Sequence, residues 1–216
     1  MNILIITAAA ILMCGLLFFE KRENSKGILP VKTTLSLLFI FAALIQPHAI
    51  PRYYHLVLIG LIFCLGGDVF LALPQPKMFL LGLVSFLVGH VFYVLSFFVM
   101  ATISLWTGGG CLVTIVVSGG IYIWLKPHLG SMKGPVMAYV IVISIMVIGA
   151  CSILGDTGLS QQGRIMVFIG AVSFYFSDIF VARDRFLKNE FSNRLIGLPL
   201  YYVGQFLLAF SVGWLK

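Results

Sequence analysis

Apolar residues run along this chain in long stretches that are separated by short polar segments. Residues 3–19 are almost wholly apolar, and similar stretches recur up to the C-terminus. A helix needs about 20 apolar residues to cross the hydrocarbon layer of a membrane. The short alternating segments that are typical of β-barrel strands do not occur. The pattern predicts an all-α polytopic membrane protein with about eight spans, at 2–19, 33–47, 53–73, 78–99, 104–125, 135–154, 163–182 and 195–214.

The composition agrees with this pattern. Of 216 residues, 61% are hydrophobic and 10% are charged, whereas a soluble domain is about half apolar and a quarter charged. Eight spans fill the chain, so a single transmembrane domain over residues 1–216 is expected. The four cysteines are far apart and lie in apolar stretches, which indicates buried thiols rather than metal ligands or disulfides.

The basic residues are distributed unevenly between the two sets of loops. The first, third, fifth and seventh loops hold eleven Lys and Arg residues, and the opposite side holds three. The positive-inside rule places the first set in the cytoplasm and both termini outside. The N-terminal stretch has no clear basic region or cleavage site, so it is interpreted as an uncleaved first span. A bacterial inner membrane is the expected location, and a nucleic-acid partner is not expected.

Two segments of the chain resemble each other. Asp68-Val-Phe-Leu-Ala ends the third span, and Asp178-Ile-Phe-Val-Ala ends the seventh. In the spans that follow, Val-Gly-His90 corresponds to Val-Gly-Gln205. The similarity is consistent with two four-helix repeats of the same orientation, and equally with chance similarity between apolar helices.

Asp68 and Asp178 are the acidic residues that the pattern places within the membrane. Each lies ~6–8 Å from the cytoplasmic end of its helix. Embedded acids are functional candidates, because charge is unfavourable there. If the two helices approach each other, one acid keeps its proton and the other serves as a base. Alternatively, each aspartate caps a helix or pairs with a base, such as Arg183 or Arg185 for Asp178.

His90 lies deeper, at ~18 Å by the same helix rise. It shares a helical face with Phe86 and Tyr93. It is a candidate for catalysis, for orienting an aspartate or for binding substrate, although a lone histidine in a bundle is often only structural. Tyr201 and Gln205, four residues apart on the last span, either line the same site or join helices.

Familiar catalytic motifs are absent from the sequence. No Gly-x-Ser-x-Gly elbow, HExxH metal motif or phosphate-binding loop occurs. The candidates that remain are two membrane acids and a histidine on the cytoplasmic side.

The polar motifs together resemble the YhhN family of membrane proteins, which includes the lysoplasmalogenases. The matching motifs run from the third span to the eighth: Gly67-Asp68 with Phe70-Leu71; Phe79-x-x-Gly82-x-x-Ser85-Phe86-x-x-Gly89-His90-x-x-Tyr93; Gly170-Ala171 with Phe174 and Ser177-Asp178; and Tyr201-Tyr202-x-Gly204-Gln205. The resemblance covers most of the chain and agrees with the eight-span plan.

The resemblance implies an activity and a site. Known members cleave the vinyl ether bond of lysoplasmalogens to a fatty aldehyde and a glycerophospho-ethanolamine or -choline. The family's key acids correspond to Asp68 and Asp178. The implied acid–base scheme needs no metal or organic cofactor. The substrate is a lysophospholipid, drawn from the surrounding membrane lipids. Further candidates for contact with it are Tyr93, Tyr201 and Gln205, with Lys32, Lys77 or Arg183 at its phosphate.

Two other functions fit the same residues. Paired acids and a histidine also occur in proton relays, so a small proton-coupled transporter is the main alternative. A non-catalytic lipid-binding or scaffold protein is a further one. A transporter moves its solute unchanged across sealed vesicles, and a scaffold protein tolerates Asp68→Asn.

Overall fold

The long apolar stretches form helices because a helix satisfies its own backbone hydrogen bonds inside the membrane. The computed structural model describes residues 1–216 apart from the side chain of Pro76. Among the described residues, eight helices are long and apolar enough to cross a membrane. They are α1 (Asn2–Lys21), α2 (Ser25–Leu44), α3 (Pro51–Leu71), α4 (Pro76–Met100), α5 (Leu105–Leu125), α6 (Lys133–Gly155), α7 (Gln161–Phe186) and α8 (Phe191–Trp214). The predicted all-α polytopic membrane fold is confirmed.

Some helix bounds differ from the predicted ones. The second span was expected at 33–47, but α2 begins at Ser25 and ends at Leu44. Lys32, expected in the first loop, therefore lies inside a helix. Pro30 and Pro199 lie inside α2 and α8.

The connections α1–α2, α3–α4, α5–α6 and α7–α8 lie on one side of the bundle, which we call the odd-loop face. The opposite side, the even-loop face, carries both termini. Ten of the fourteen Lys and Arg residues lie at the odd-loop face or at the helix ends beside it, three lie at the even-loop face, and Lys32 is buried in α2. The asymmetry in basic residues is therefore kept after Lys32 is removed from the loops.

The structure contains two closely packed helix pairs. In the α3–α4 pair, a Cβ atom built on Gly89 would lie 3.0 Å from the carbonyl oxygen of Gly60, and one on Gly60 would lie 3.1 Å from the carbonyl oxygen of Gly89. In the α7–α8 pair, the reciprocal distances between Gly170 and Gly204 are 3.1 and 2.8 Å. Glycine at these positions lets the two backbones meet.

These contacts support an internal duplication. A numbering offset of 110 relates Gly60 to Gly170 and Asp68 to Asp178, and an offset of 115 relates Gly89 to Gly204. The contact between the halves α1–α4 and α5–α8 is also reciprocal: α4 of the first half packs on α6 of the second, and α8 of the second packs on α2 of the first. The glycine contacts and the offsets are compatible with the hypothesis of two four-helix repeats, in which Asp68 and Asp178 are equivalent positions.

Gly204→Ala should destabilise the protein by about 1–3 kcal/mol, because the new methyl group would overlap the Gly170 carbonyl. Gly119→Ala is the matched control, since a Cβ atom there has nothing within 4 Å. The measurement is the thermal unfolding midpoint in detergent. Equal midpoints for the two variants would contradict this packing.

Candidate active site

A cavity of about 740 Å³ lies within the bundle and reaches the odd-loop face. Asp68 and Asp178 both line it, and Leu83, Ile143 and Leu198 contribute apolar walls. The charged residues that line it are concentrated toward the odd-loop face: Glu20, Glu23, Asp184, Arg185, Lys188 and Arg194. The cavity therefore joins a charged mouth to an apolar interior that contains two acids.

Asp68 is buried and held by three groups from two other helices. The Lys32 ammonium of α2 lies 3.5 Å from one carboxylate oxygen. Ser36, one turn further along α2, donates a hydrogen bond of 2.6 Å to the other oxygen, and Tyr201 of α8 donates one of 2.5 Å to the same atom. A cation and two hydroxyl donors stabilise the ionised form of this carboxyl group.

Asp178 has a simpler environment. Tyr139 of α6 donates a hydrogen bond of 2.6 Å to one of its oxygens. Among the residues that the structure describes, no Lys or Arg nitrogen lies within 4.0 Å of it. The alternative that Asp178 pairs with an arginine is not observed. Arg183 donates to Asn193 and Glu190, and Arg185 lies over the Phe79 ring, 4.4 Å from its centroid.

The two aspartates share the cavity without a direct hydrogen bond between their carboxyl groups, as far as the described side chains show. The helices that carry them have mostly different packing partners: α3 packs on α2, α4 and α8, whereas α7 packs on α5, α6 and α8. The expected close carboxyl pair is therefore replaced by two separate acids with unlike partners. Both acids nevertheless border the same cavity.

His90 lies behind the cavity lining. Its Nδ1 donates to the Phe86 carbonyl oxygen at 2.6 Å, and its Nε2 has no hydrogen-bond partner among the described residues. Its ring packs against the rings of Phe174 and Tyr139, with centroids 4.5 and 5.2 Å away. His90 thus borders the tyrosine that holds Asp178, and no hydrogen bond joins it to either aspartate in the described structure.

Tyr93 and Gln205 are joined to each other and lie outside the cavity lining. The Tyr93 hydroxyl donates a hydrogen bond of 2.7 Å to the Gln205 side-chain oxygen. Both side chains are fully buried. This contact links α4 to α8 and corresponds to the helix-joining alternative for Gln205.

The three predicted phosphate contacts have different positions. Lys32 lines the cavity but faces Asp68 inside it, which corrects its expected place at the loop edge. Arg183 lies outside the lining and holds the α7–α8 connection through Asn193 and Glu190. Lys77 is exposed and also lies outside the lining.

Basic side chains that the sequence did not indicate as phosphate contacts lie nearer the cavity than Lys77 and Arg183 do. Arg185, Lys188 and Arg194 line its mouth. Lys188 also bonds to Glu190, and this hydrogen bond keeps the pKa of the Glu190 carboxyl below its usual range. Arg194 bonds to Asp184 and contacts Glu20.

Sequence reasoning also missed Tyr139 and Ser36. An isolated tyrosine within the apolar residues of α6 was the available signal for Tyr139. Ser36 carries no comparable signal, since serine is common in membrane helices. In the part of the chain that the structure describes, no group of three or more His, Cys, Asp or Glu side chains is placed to hold a metal ion.

The YhhN family model matches residues 28–212 of the chain. The chain belongs to the YhhN family. The matched range contains both aspartates and every residue that hydrogen-bonds to them. Family membership confirms the resemblance that the polar motifs indicated.

Named relatives of this family member come from mammals and from bacteria. The chain is 30% identical to lysoplasmalogenase TMEM86A of Bos taurus and 31% identical to that of Homo sapiens, each over 161 residues. It is 28% identical over 173 residues to the lysoplasmalogenase of Mycobacterium tuberculosis. The alignments cover 72% of this chain and 64% of each mammalian relative, and 77% of this chain and 62% of the mycobacterial one. The chain thus spans slightly less than two thirds of the length of these relatives. No solved structure is significantly similar to it.

Proposed function

We propose that this protein is a lysoplasmalogenase. In this proposal it hydrolyses the vinyl ether bond of 1-alkenyl lysophospholipids to a fatty aldehyde and a glycerophospho-ethanolamine or -choline. The names of the relatives supply the substrate class. The observation that carries the chemistry is the pair of aspartates with unlike partners on one membrane cavity.

The shape and polarity of the cavity suit a single-chain lipid. Its mouth at the odd-loop face carries Arg185, Lys188 and Arg194, which offer donors and positive charge to a phosphate. The interior walls are apolar and accommodate a hydrocarbon chain. In a lysoplasmalogen the vinyl ether lies between the phosphate and the hydrocarbon chain. We place it beside the aspartates, between the charged mouth and the apolar walls.

Asp178 is the proton donor in this scheme. A vinyl ether is electron-rich at the carbon β to its oxygen, and protonation of that carbon gives an oxocarbenium ion. Asp178 has a tyrosine donor and no neighbouring cation, so its carboxyl group lacks the partner that holds Asp68 ionised. The proton therefore belongs on Asp178. Tyr139 orients the carboxyl group through one oxygen and leaves the other free to carry the proton.

Asp68 is the carboxylate in this scheme. Its negative charge stabilises the oxocarbenium ion electrostatically, and it accepts a proton from the water that adds to the cation. The resulting hemiacetal collapses when the glycerol oxygen takes the proton from Asp68 and the hemiacetal hydroxyl gives its proton to Asp178. This step releases aldehyde and alcohol and restores both aspartates to their starting states. The net reaction consumes one water molecule, and no metal or organic cofactor enters it.

We infer a supporting role for His90 rather than contact with the reacting atoms. Its ring packs against Tyr139, which holds Asp178. Tyr93 and Gln205 also have a supporting role in this proposal, because their hydrogen bond joins α4 to α8 behind the cavity. Of the three candidates Tyr93, Tyr201 and Gln205, we keep Tyr201 as a proposed substrate contact, because it lines the cavity and donates a hydrogen bond to Asp68.

We also propose that the odd-loop face is cytoplasmic, in the inner membrane of a bacterium, with both termini on the other side. The distribution of Lys and Arg supports this orientation. The cavity mouth would then open toward the cytoplasm.

Product analysis with purified protein in detergent tests the proposed function. We expect aldehyde release from ethanolamine or choline lysoplasmalogen, together with the matching glycerophospho product, measured by coupled reduction of the aldehyde and by mass spectrometry. A 1-alkyl lysophospholipid, which lacks the double bond, is the matched control and should remain intact. Absence of both products from folded protein would contradict the proposal, and transport of an unchanged solute across sealed vesicles would favour a transporter.

A further inference from the structure

A second cavity of about 540 Å³ lies between α5, α6 and α7. Its lining is almost wholly apolar and includes Leu105, Val113, Val117, Val147 and Phe168. On α5 it follows one helical face from Val117 to Leu105, the first residue of that helix at the even-loop face. This face is about 18 Å long by the rise of an α-helix.

The two cavities meet at Tyr175. This buried side chain lines both of them, and its hydroxyl lies 2.7 Å from that of Ser118. Ser118 lines the first cavity, whereas Val117, the preceding residue, and Thr114, one turn earlier on α5, line the second. The Tyr175 ring thus lies between the two cavities, which follow one another along α5 and α7.

The polar and apolar groups follow one another in the order of a single-chain lipid. The charged mouth comes first, and then Asp178, which lies one helical turn from Tyr175 on α7. The apolar cavity follows Tyr175 and extends toward the even-loop face. A lysoplasmalogen carries its phosphate, its vinyl ether and its hydrocarbon chain in the same order.

We propose that the cavity between α5, α6 and α7 receives the distal part of the substrate's alkenyl chain and gives the enzyme a preference for long chains. This inference rests on the proposed function and deepens it, because it identifies long-chain lysoplasmalogens as the preferred substrates. The position of Tyr175 identifies the occupant, because a chain that starts at the aspartates and passes this ring reaches the apolar cavity on its other side.

The chain offers a matched pair of variants to test this inference. Gly109 lines the apolar cavity, whereas the adjacent Gly108 does not. Both are exposed, and a Cβ atom at either position would meet nothing within 4 Å. Gly109→Phe fills the cavity with a ring, and Gly108→Phe places the same ring elsewhere on the surface of the helix.

The experiment measures binding and cleavage with hexadecyl and octyl chains. Dissociation constants are determined for saturated 1-alkyl lysophospholipids, and kcat/KM for the matching 1-alkenyl substrates. In Gly109→Phe we expect affinity and kcat/KM to fall by about tenfold or more for the long chain, because a steric block excludes it, and to remain within about twofold for the short chain. Gly108→Phe should behave as wild type with both chains.

The outcomes separate the two proposals. Aldehyde release with equal loss for both chains in Gly109→Phe, or with no loss for either, would overturn the chain site and leave the proposed function standing. Absence of aldehyde release in wild type would overturn the proposed function and, with it, the substrate preference. Selective loss of long-chain affinity in Gly109→Phe would still identify the cavity as a lipid-chain site in that case.

Discussion

Asp178→Asn is expected to lower kcat for lysoplasmalogen cleavage by about 10²–10⁴-fold, the usual contribution of a positioned acid or base. The amide has nearly the same shape as the carboxyl group and still accepts the hydrogen bond from Tyr139. It cannot donate a proton to the vinyl carbon. KM should change little, because the cavity keeps its shape, and aldehyde release at saturating substrate measures the effect.

Asp156→Asn is the control for this prediction. Asp156 lies at the even-loop end of α6, where it accepts a hydrogen bond from Thr102. It does not line the cavity. Its replacement should leave kcat unchanged. Wild-type turnover by folded Asp178→Asn would remove this residue from the mechanism.

Asp68→Asn should abolish activity to a similar degree and should also destabilise the protein. Asp68 forms a buried ion pair with Lys32. Removing one partner of such a pair leaves an unpaired buried charge and costs about 3–5 kcal/mol. We therefore expect a lower unfolding midpoint in detergent for Asp68→Asn than for Asp178→Asn, in addition to the loss of kcat.

The double variant Asp68→Asn/Lys32→Met separates the two effects. Methionine fills most of the volume of lysine without its charge, so the pair is removed as a whole, which is often neutral for stability. The unfolding midpoint should return toward wild type while activity remains lost. Recovery of activity together with stability would show that Asp68 has only a structural role.

The eight helices were predictable because each span is a long apolar stretch that must satisfy its own backbone hydrogen bonds. The beginning of α2 was not predictable. Lys32 looked like a loop residue, and its acceptable burial depends on Asp68 of another helix. A charged residue can lie within a span when another helix supplies its partner, and the sequence alone does not show which helix that is.

The aspartates could be found in the sequence because embedded acids are rare. Their partners could not be found there, since the order of helices in the bundle decides which side chains meet. Tyr139 reaches Asp178 because α6 packs beside α7, and Tyr201 reaches Asp68 because α8 packs beside α3. The hydrogen-bond partners of the two aspartates are thus determined by which helices pack together.

Under the hypothesis of an internal duplication, equivalent positions in the two halves have acquired different side chains. The offset of 115 that relates Gly89 to Gly204 also relates Phe86 to Tyr201. The residue equivalent to Tyr201 is thus a phenylalanine with no hydroxyl to donate. Divergence at such positions accompanies the different partners of the two buried aspartates, three for Asp68 and one for Asp178.

Infrared difference spectroscopy tests the division of roles between the two aspartates most directly. Protonated carboxylic acids show a carbonyl stretching band that carboxylates lack. At the pH of the activity assay, the difference between wild type and Asp178→Asn should contain this band. The difference spectrum between wild type and Asp68→Asn reports on Asp68 in its native ion pair. This spectrum should lack the protonated band and contain a carboxylate band that the variant has lost. The difference spectrum between Lys32→Met and Asp68→Asn/Lys32→Met reports on Asp68 in a protein that has no unpaired lysine. A protonated band that disappears with Asp68, or its absence from Asp178, would contradict the assignment of the proton to Asp178.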